Sequence, residues 1–137
     1  MSDAKTFQWP VRIYYEDTDS GGVVYYANYL KYMERARTEW LRAAGFEQDE
    51  LIEQKGVLFA VRSVQADYLS PARFNDLLTV SATIIEQGRA SLTFKQEVRR
   101  EADNRLLCTG KIKIVSLKTE TMKPCAIPQA ITNAVRG

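Results

Sequence analysis

At 137 residues the chain has the length of one domain, spanning 1–137, and its 45% hydrophobic and 26% charged residues fit a soluble globular protein rather than a disordered or fibrous one. The net charge of +2, from 19 Lys and Arg against 17 Asp and Glu, provides no clustered basic stripe for nucleic acid. With no histidine and only Cys108 and Cys125, zinc-finger spacings, the serine triad, Cys/His nucleophile pairs and imidazole metal ligands are excluded, and acid–base chemistry falls to carboxylates, Tyr, Lys or the backbone.

The first stretch, MSDAKTFQWP, contains neither a signal-peptide core nor a membrane-crossing run, so a cytoplasmic protein is expected. Phe7 to Glu16 (FQWPVRIYYE) is aromatic and β-branched with partial alternation and predicts a strand, with Pro10 restricting its start to an edge or bulge. Asp17 to Gly22 (DTDSGG) has the composition of a turn. Leu30, Met33, Arg37, Trp40, Leu41 and Ala44 then recur at three- and four-residue steps and predict one long helix over 28–44. Asn28 is its expected N-cap, Gly45 suits the left-handed position after its end, and Glu34 with Arg37 and Arg35 with Glu39 are expected ion pairs.

A short helix is expected over Gln48 to Gln54, followed by strands over Leu58 to Leu69, Leu77 to Gln87, Ser91 to Arg100 and Leu106 to Leu117. The three links between these strands read as antiparallel turns, and the proline-containing C-terminal stretch predicts a short helix or loose tail. One strand, one helix and a four-strand meander make an α+β pattern. Its simplest solution is the hotdog arrangement, an antiparallel sheet of about five strands wrapped around one long helix.

The chemistry concentrates in Glu16 to Tyr29 (EDTDSGGVVYYANY), where a carboxylate loop directly precedes a helix start. Free amides and the positive dipole end of a helix suit a developing oxyanion, and an adjacent carboxylate can attack a thioester or activate water. Two other readings exist for the same residues. DTDSGG also makes a good turn ahead of a capped helix. It also partly follows an EF-hand loop, but Gly21 and Asn28 occupy positions that need carboxylates or amides of the right reach, and the preceding segment is strand-like.

Arg12 to Leu41 (RIYYEDTDSGGVVYYANYLKYMERARTEWL), with YLSPARFNDLL at Tyr68 to Leu78 and MKPCAIP at Met122 to Pro128, resembles the 4-hydroxybenzoyl-CoA thioesterase family and, within it, the YbgC-type, Tol-Pal-associated acyl-CoA thioesterases. The resemblance implies hydrolysis of an acyl thioester to the free acid and coenzyme A. Asp19 takes the catalytic position, Gly22 shapes the turn, and the backbone amide of Tyr26 polarises the thioester carbonyl. Many YbgC-type members have histidine where this chain has Tyr26, so an imidazole role has no counterpart here, and a hotdog dehydratase is disfavoured on the same ground.

Asp17 is expected to shape the loop. Tyr14, Tyr15, Tyr25 and Tyr29, with Trp9 and Trp40, are expected in the core or acyl pocket, with Tyr25 and Asn28 counted among substrate-binding residues. Arg89 and Ser91 are implied for the nucleotide end of coenzyme A across a subunit boundary, Lys111 and Lys113 less directly, and Arg62 beside LFAV is a further pocket candidate. Both cysteines read as structural thiols, and no metal or cofactor is expected. An acyl carrier protein is a second candidate carrier. The resemblance and the exposed sheet edges imply a homotetramer built from dimers. The alternative function is a noncatalytic acyl-CoA or acyl-carrier-protein binding module on the same fold.

Overall fold

The computed structural model describes residues 6–136. Five strands, β1 (Thr6–Arg12), β2 (Val57–Tyr68), β3 (Leu77–Gln87), β4 (Ser91–Arg100) and β5 (Arg105–Lys118), form one antiparallel sheet in the order β1-β3-β4-β5-β2. Helix α1 (Asn28–Ala43) lies on its inner face, giving the expected hotdog fold; α2 (Gln48–Glu50) continues into a wide turn at Leu51–Lys55, and α3 (Gln129–Arg136) ends the described chain.

Alternation decides which side of the sheet meets α1. Leu78, Val80 and Ala82 on β3, and Leu92, Phe94, Gln96 and Val98 on β4, are buried beneath Tyr29, Tyr32, Met33 and Ala36 of the helix. On β5 the same face has Gly110, where an added Cβ would lie 2.7 Å from Met33 Sδ; glycine is what lets α1 sit this close. The helix ends as expected: Gly45 takes φ 97°, its N–H reaches the Arg42 carbonyl at 3.0 Å, and the Phe46 N–H reaches that of Leu41 at 2.9 Å.

Three expectations are corrected. The first strand stops at Arg12 instead of continuing to Glu16, because the Asp17 carboxylate captures the Tyr14 N–H at 2.7 Å and winds Tyr15–Asp17 into a tight turn. The strands are not a four-strand meander: β2 pairs with β5 at the sheet's edge, so the 69–76 link crosses two strands instead of making a hairpin. Eight residues can reach about 26 Å and three strand spacings need only about 14 Å, so the crossover is within reach. The helix ion pairs also differ. Arg42 bridges Glu39 and Glu47, Arg37 bonds Gln96, and Arg35 lies over the Tyr32 ring at 5.7 Å.

A bulge in β2 also places side chains. Val61 faces Ile114 and Val64 faces Ile112, so two residues three apart share the inner face, and the extra residue between them, Arg62, is turned out to solvent.

Candidate active site

The carboxylate loop is folded by its own polar groups. The Asp19 N–H donates to the Val23 carbonyl at 2.9 Å, the Gly22 N–H to the Asp19 carbonyl at 3.0 Å, and the Gly21 N–H to Asp19 Oδ1 at 2.9 Å. Gly22 needs its φ of 79°, and a Cβ on Gly21 would press to 3.2 Å from Asp19 Oδ1. Both glycines therefore serve the position of Asp19, which is exposed with Oδ2 free of any partner among the described residues.

Two carbonyl contacts join this loop to the helix. The Asp17 carbonyl accepts the Tyr25 N–H at 3.1 Å and Asn28 Nδ2 at 2.9 Å. Asn28 is thus not the N-cap: Ala27 holds that position without a side-chain bond, and Asn28 is the first helical residue, spending its amide on the loop. With no capping side chain, the Tyr26 and Ala27 N–H groups find no acceptor among the described residues, leaving donors beside the Asp19 loop.

The crossover supports both. Val24 donates to the Ala72 carbonyl at 2.9 Å, Val23 bridges Arg73, and the Ala72 N–H donates to the buried Tyr29 hydroxyl at 3.0 Å. Arg100 clamps the crossover through Asp76 at 3.1 Å and the Pro71 carbonyl at 2.9 Å, and is itself held by Asp103 of the β4–β5 turn at 3.0 Å. Burial works against the Arg100 charge, but the two acids outweigh it and raise its pKa. Burial likewise raises Tyr29 and Tyr68 above the ordinary phenol value. The two phenols stay uncharged at neutral pH.

Beside Tyr26 opens a cleft of about 260 Å³ between Val24, Tyr29, Tyr68 and the Leu69–Pro71 segment. The rings of Tyr25 and Tyr26 lie 4.8 Å apart, Tyr26 and Tyr68 5.8 Å, and Tyr68 and Tyr29 5.6 Å, so an aromatic wall runs from the surface to the core. Tyr68 ends a strand far from the motif along the chain, and only the crossover brings it to the helix start. A larger depression of about 390 Å³ lies on the outer face of β1, β3 and β4 and shares no residue with the loop.

The other expected residues divide. Tyr29 is buried, and Trp9 and Trp40 pack against the core, but Tyr14, Tyr15 and Tyr25 are exposed, so of the core or acyl-pocket placement expected for them the core is corrected. Arg62, on the bulge, is exposed and points away from the inner face. Arg89 and Ser91 lie at the β3–β4 hairpin, whereas the Asp19 loop adjoins the opposite end of β3 through Ile13, Asn75 and Asp76. The eleven residues of β3 make ten steps from Leu77 to Gln87, which separate these ends by about 33 Å. Arg89 lines a separate polar pocket of about 350 Å³ with Gln129 and Thr132. Lys111 and Lys113 are on the outer face, opposite Lys95 and Thr93. Cys108 is buried, and burial, with Asp67 nearby, pushes its thiol up to about 11.

Comparison with known proteins fixes the family. Residues 21–107 match the thioesterase superfamily. The chain is 44% identical over 125 residues to the acyl-CoA thioester hydrolase YbgC of Escherichia coli O157:H7, covering 91% of this chain and 92% of the relative. It is 41% identical to the acyl-CoA thioesterase YbgC of Haemophilus influenzae, covering 93% of each. The chain belongs to the thioesterase superfamily. Among solved structures, a probable thioesterase from Bartonella henselae is 32% identical, with a TM-score of 0.85 over 90% of this chain and all of that one. A 1,4-dihydroxy-2-naphthoyl-CoA thioesterase from Synechocystis, 23% identical, has a TM-score of 0.90 over 96% of each chain and shares the fold. The thioesterase is therefore an enzyme that hydrolyses an acyl thioester, and the noncatalytic binding module is not favoured.

Proposed function

We propose that the enzyme hydrolyses acyl-CoA with Asp19 as its catalytic carboxylate and the Tyr26 amide as oxyanion donor. The observation that carries this reading is the uncapped helix start beside a carboxylate whose loop is built to present it. Asp19 Oδ2 takes a proton from water as that water's oxygen adds to the thioester carbonyl. The resulting oxyanion is held by the Tyr26 N–H. When the tetrahedral species collapses the C–S bond breaks, the leaving thiolate takes the proton back from Asp19, and the acid and free thiol depart. Cys108, held protonated by burial, has no part in this.

The cleft at Tyr26 and Tyr68 suits the arm that carries the thioester; the Tyr25 ring packs on that of Tyr26, and Asn28 ties the helix start to the loop, which places both next to bound substrate. Because Arg89 and Ser91 lie at the far end of the sheet, their role at the coenzyme A nucleotide requires a second subunit. The unpaired edge of β2 provides a surface on which dimers, and from them a homotetramer, would assemble. A cytoplasmic location and acyl carrier protein as a further carrier belong to the same proposal; no described helix is long and apolar enough to cross a membrane.

Release of thiol from a panel of acyl-CoA esters and one acyl-carrier-protein thioester tests the activity and the carrier. Asp19→Asn keeps an oxygen for the Gly21 N–H and removes the charge, so kcat should fall at least about a hundredfold. A nearly active variant would remove Asp19 from the chemistry. Single turnover in oxygen-18 water should label the released acid; label appearing in the Asp19 carboxylate instead would make it the nucleophile.

A further inference from the structure

A trench runs along α1 on the side facing β2. Leu30, Glu34 and Arg37 form its helix wall, and Val61, Val64 and Ile112 form the other side; it encloses about 370 Å³, with Lys31 at the rim. A smaller extension of about 140 Å³ shares Glu34, Arg37 and Val61 and continues toward Leu41 and Phe94. The trench exists because the β2 bulge turns Val61 and Val64 to the same face, where they are 52% and 43% exposed despite facing inward.

It lies along the same helix that starts beside the Asp19 loop. Leu30, Glu34 and Arg37 are spaced four and three residues apart and form one stripe of the helix, and Tyr26 stands just before the helix start, four residues ahead of Leu30. At 1.5 Å per residue the Arg37 backbone lies about 14 Å beyond that of Asn28, the first helical residue, and its side chain leans back toward the helix start. An acyl group whose carbonyl is at the Tyr26 amide can thus extend down the trench toward Arg37.

Arg37 is an unusual end to an apolar trench. Its Nη1 donates to Gln96 Oε1 at 2.9 Å, and Gln96, fully buried, is itself fixed by donating to the carbonyls of Met33 at 3.0 Å and Ser81 at 3.2 Å. The guanidinium is therefore held in place by the core. It carries five N–H donors, yet only this one bond and no ion pair within 4.0 Å is formed among the described residues. Glu34, the nearest acid, accepts instead from the Thr38 hydroxyl. Burial lowers the Arg37 pKa against a smaller opposing effect of Glu34, so an oxygen acceptor here would relieve a real cost.

We propose that Arg37, in the α1–β2 trench, is a specificity-determining residue selecting acyl groups with a hydrogen-bond-accepting oxygen at the distal end. The inference rests on the thioester being held at Tyr26 as in the proposed function. A methyl-ended chain entering the trench leaves the Arg37 donors stripped of water and unpaired, whereas a distal carboxylate or hydroxyl satisfies them. Pairing of β2 with a second copy would roof the trench and sharpen the discrimination.

The test compares kcat/KM for butanoyl- to decanoyl-CoA with the ω-carboxy and ω-hydroxy thioesters of matching length. At the length that reaches Arg37, an oxygen-ended ester should be preferred about tenfold over the methyl-ended one, and the two oxygen-ended series separate a need for charge from a need for an acceptor. Arg37→Met should collapse that ratio, and Arg37→Gln, which can still reach Gln96, should do so with less disturbance to the core. Because the ratio is taken within each enzyme, general loss of activity or folding cancels. Equal hydrolysis of oxygen- and methyl-ended series by the parent, or a preference unchanged in both variants, would overturn the role of Arg37 while leaving the thioesterase reading intact. No hydrolysis of any series by the parent would overturn that reading itself.

Discussion

Asn28 offers a direct test of how the loop is coupled to the helix. If its side chain capped the helix, Asn28→Asp would preserve or improve stability, since Asp and Asn cap equally well. In the structure Asn28 Nδ2 instead donates to the Asp17 carbonyl at 2.9 Å in a half-buried position. Asn28→Ala removes that bond, but the Asp17 carbonyl keeps the Tyr25 N–H at 3.1 Å, so no acceptor is left wholly unpaired. The expected cost is about 1 kcal/mol, seen as a fall of about 4 °C in Tm. Asn28→Asp cannot donate and places a carboxylate against a carbonyl oxygen, so it should be at least as damaging as Ala. Because the tie sets where Asp19 stands relative to the Tyr26 amide, both variants should lose about tenfold in kcat with little change in KM. Thermal melting by circular dichroism and steady-state hydrolysis of one acyl-CoA ester measure the two effects. An Asn28→Asp enzyme as stable and active as the parent would refute the argument and restore the capping role.

Tyr26→Phe leaves the backbone donor untouched and should cost less than about tenfold in kcat, as measured with the same ester; an inactive variant would show that the phenol itself takes part. Gly110→Ala drives a methyl toward Met33 Sδ at 2.7 Å and Ile112 Cδ1 at 2.9 Å, and should destabilise by about 1–3 kcal/mol in urea unfolding. For Cys108 the folded thiol, at about 11, lies above its ordinary 9.0. The folded state therefore holds this proton more tightly, and the contribution to stability is complete below about pH 9 and lost as the pH rises toward 11. Native protein at pH 8 should accordingly react with a thiol reagent first at the half-buried Cys125 and only after unfolding at Cys108, which mass spectrometry of the labelled peptides reads directly.

Much of the fold is carried by local pattern. The 28–44 periodicity marks α1 because a helix must put its apolar residues on one side, and Gly45 marks its end because only glycine takes φ 97° without strain. The limits of the last four strands come within a residue because alternation fails where a chain leaves a sheet, and Asp19, Gly22 and Tyr26 form a readable group because twelve contiguous residues build that corner. What the linear chain leaves open is long-range pairing. Alternation says that β2 is a strand but not that β5 is its neighbour, since any of several partners would bury the same face.

From that one pairing follow the crossover that brings Tyr68 and Ala72 to the helix start, the bulge that turns Arg62 out while aligning Val61 with Val64, and the trench in which Arg37 stands. Asn28 shows the limit at short range. Its type suits a cap, and only the position of the Asp17 carbonyl, set by the crossover packing under the loop, directs its amide elsewhere. Residue type determined which groups are able to act in this protein; tertiary packing decided which of them meet, because distance across a sheet is set by strand order and not by separation along the chain.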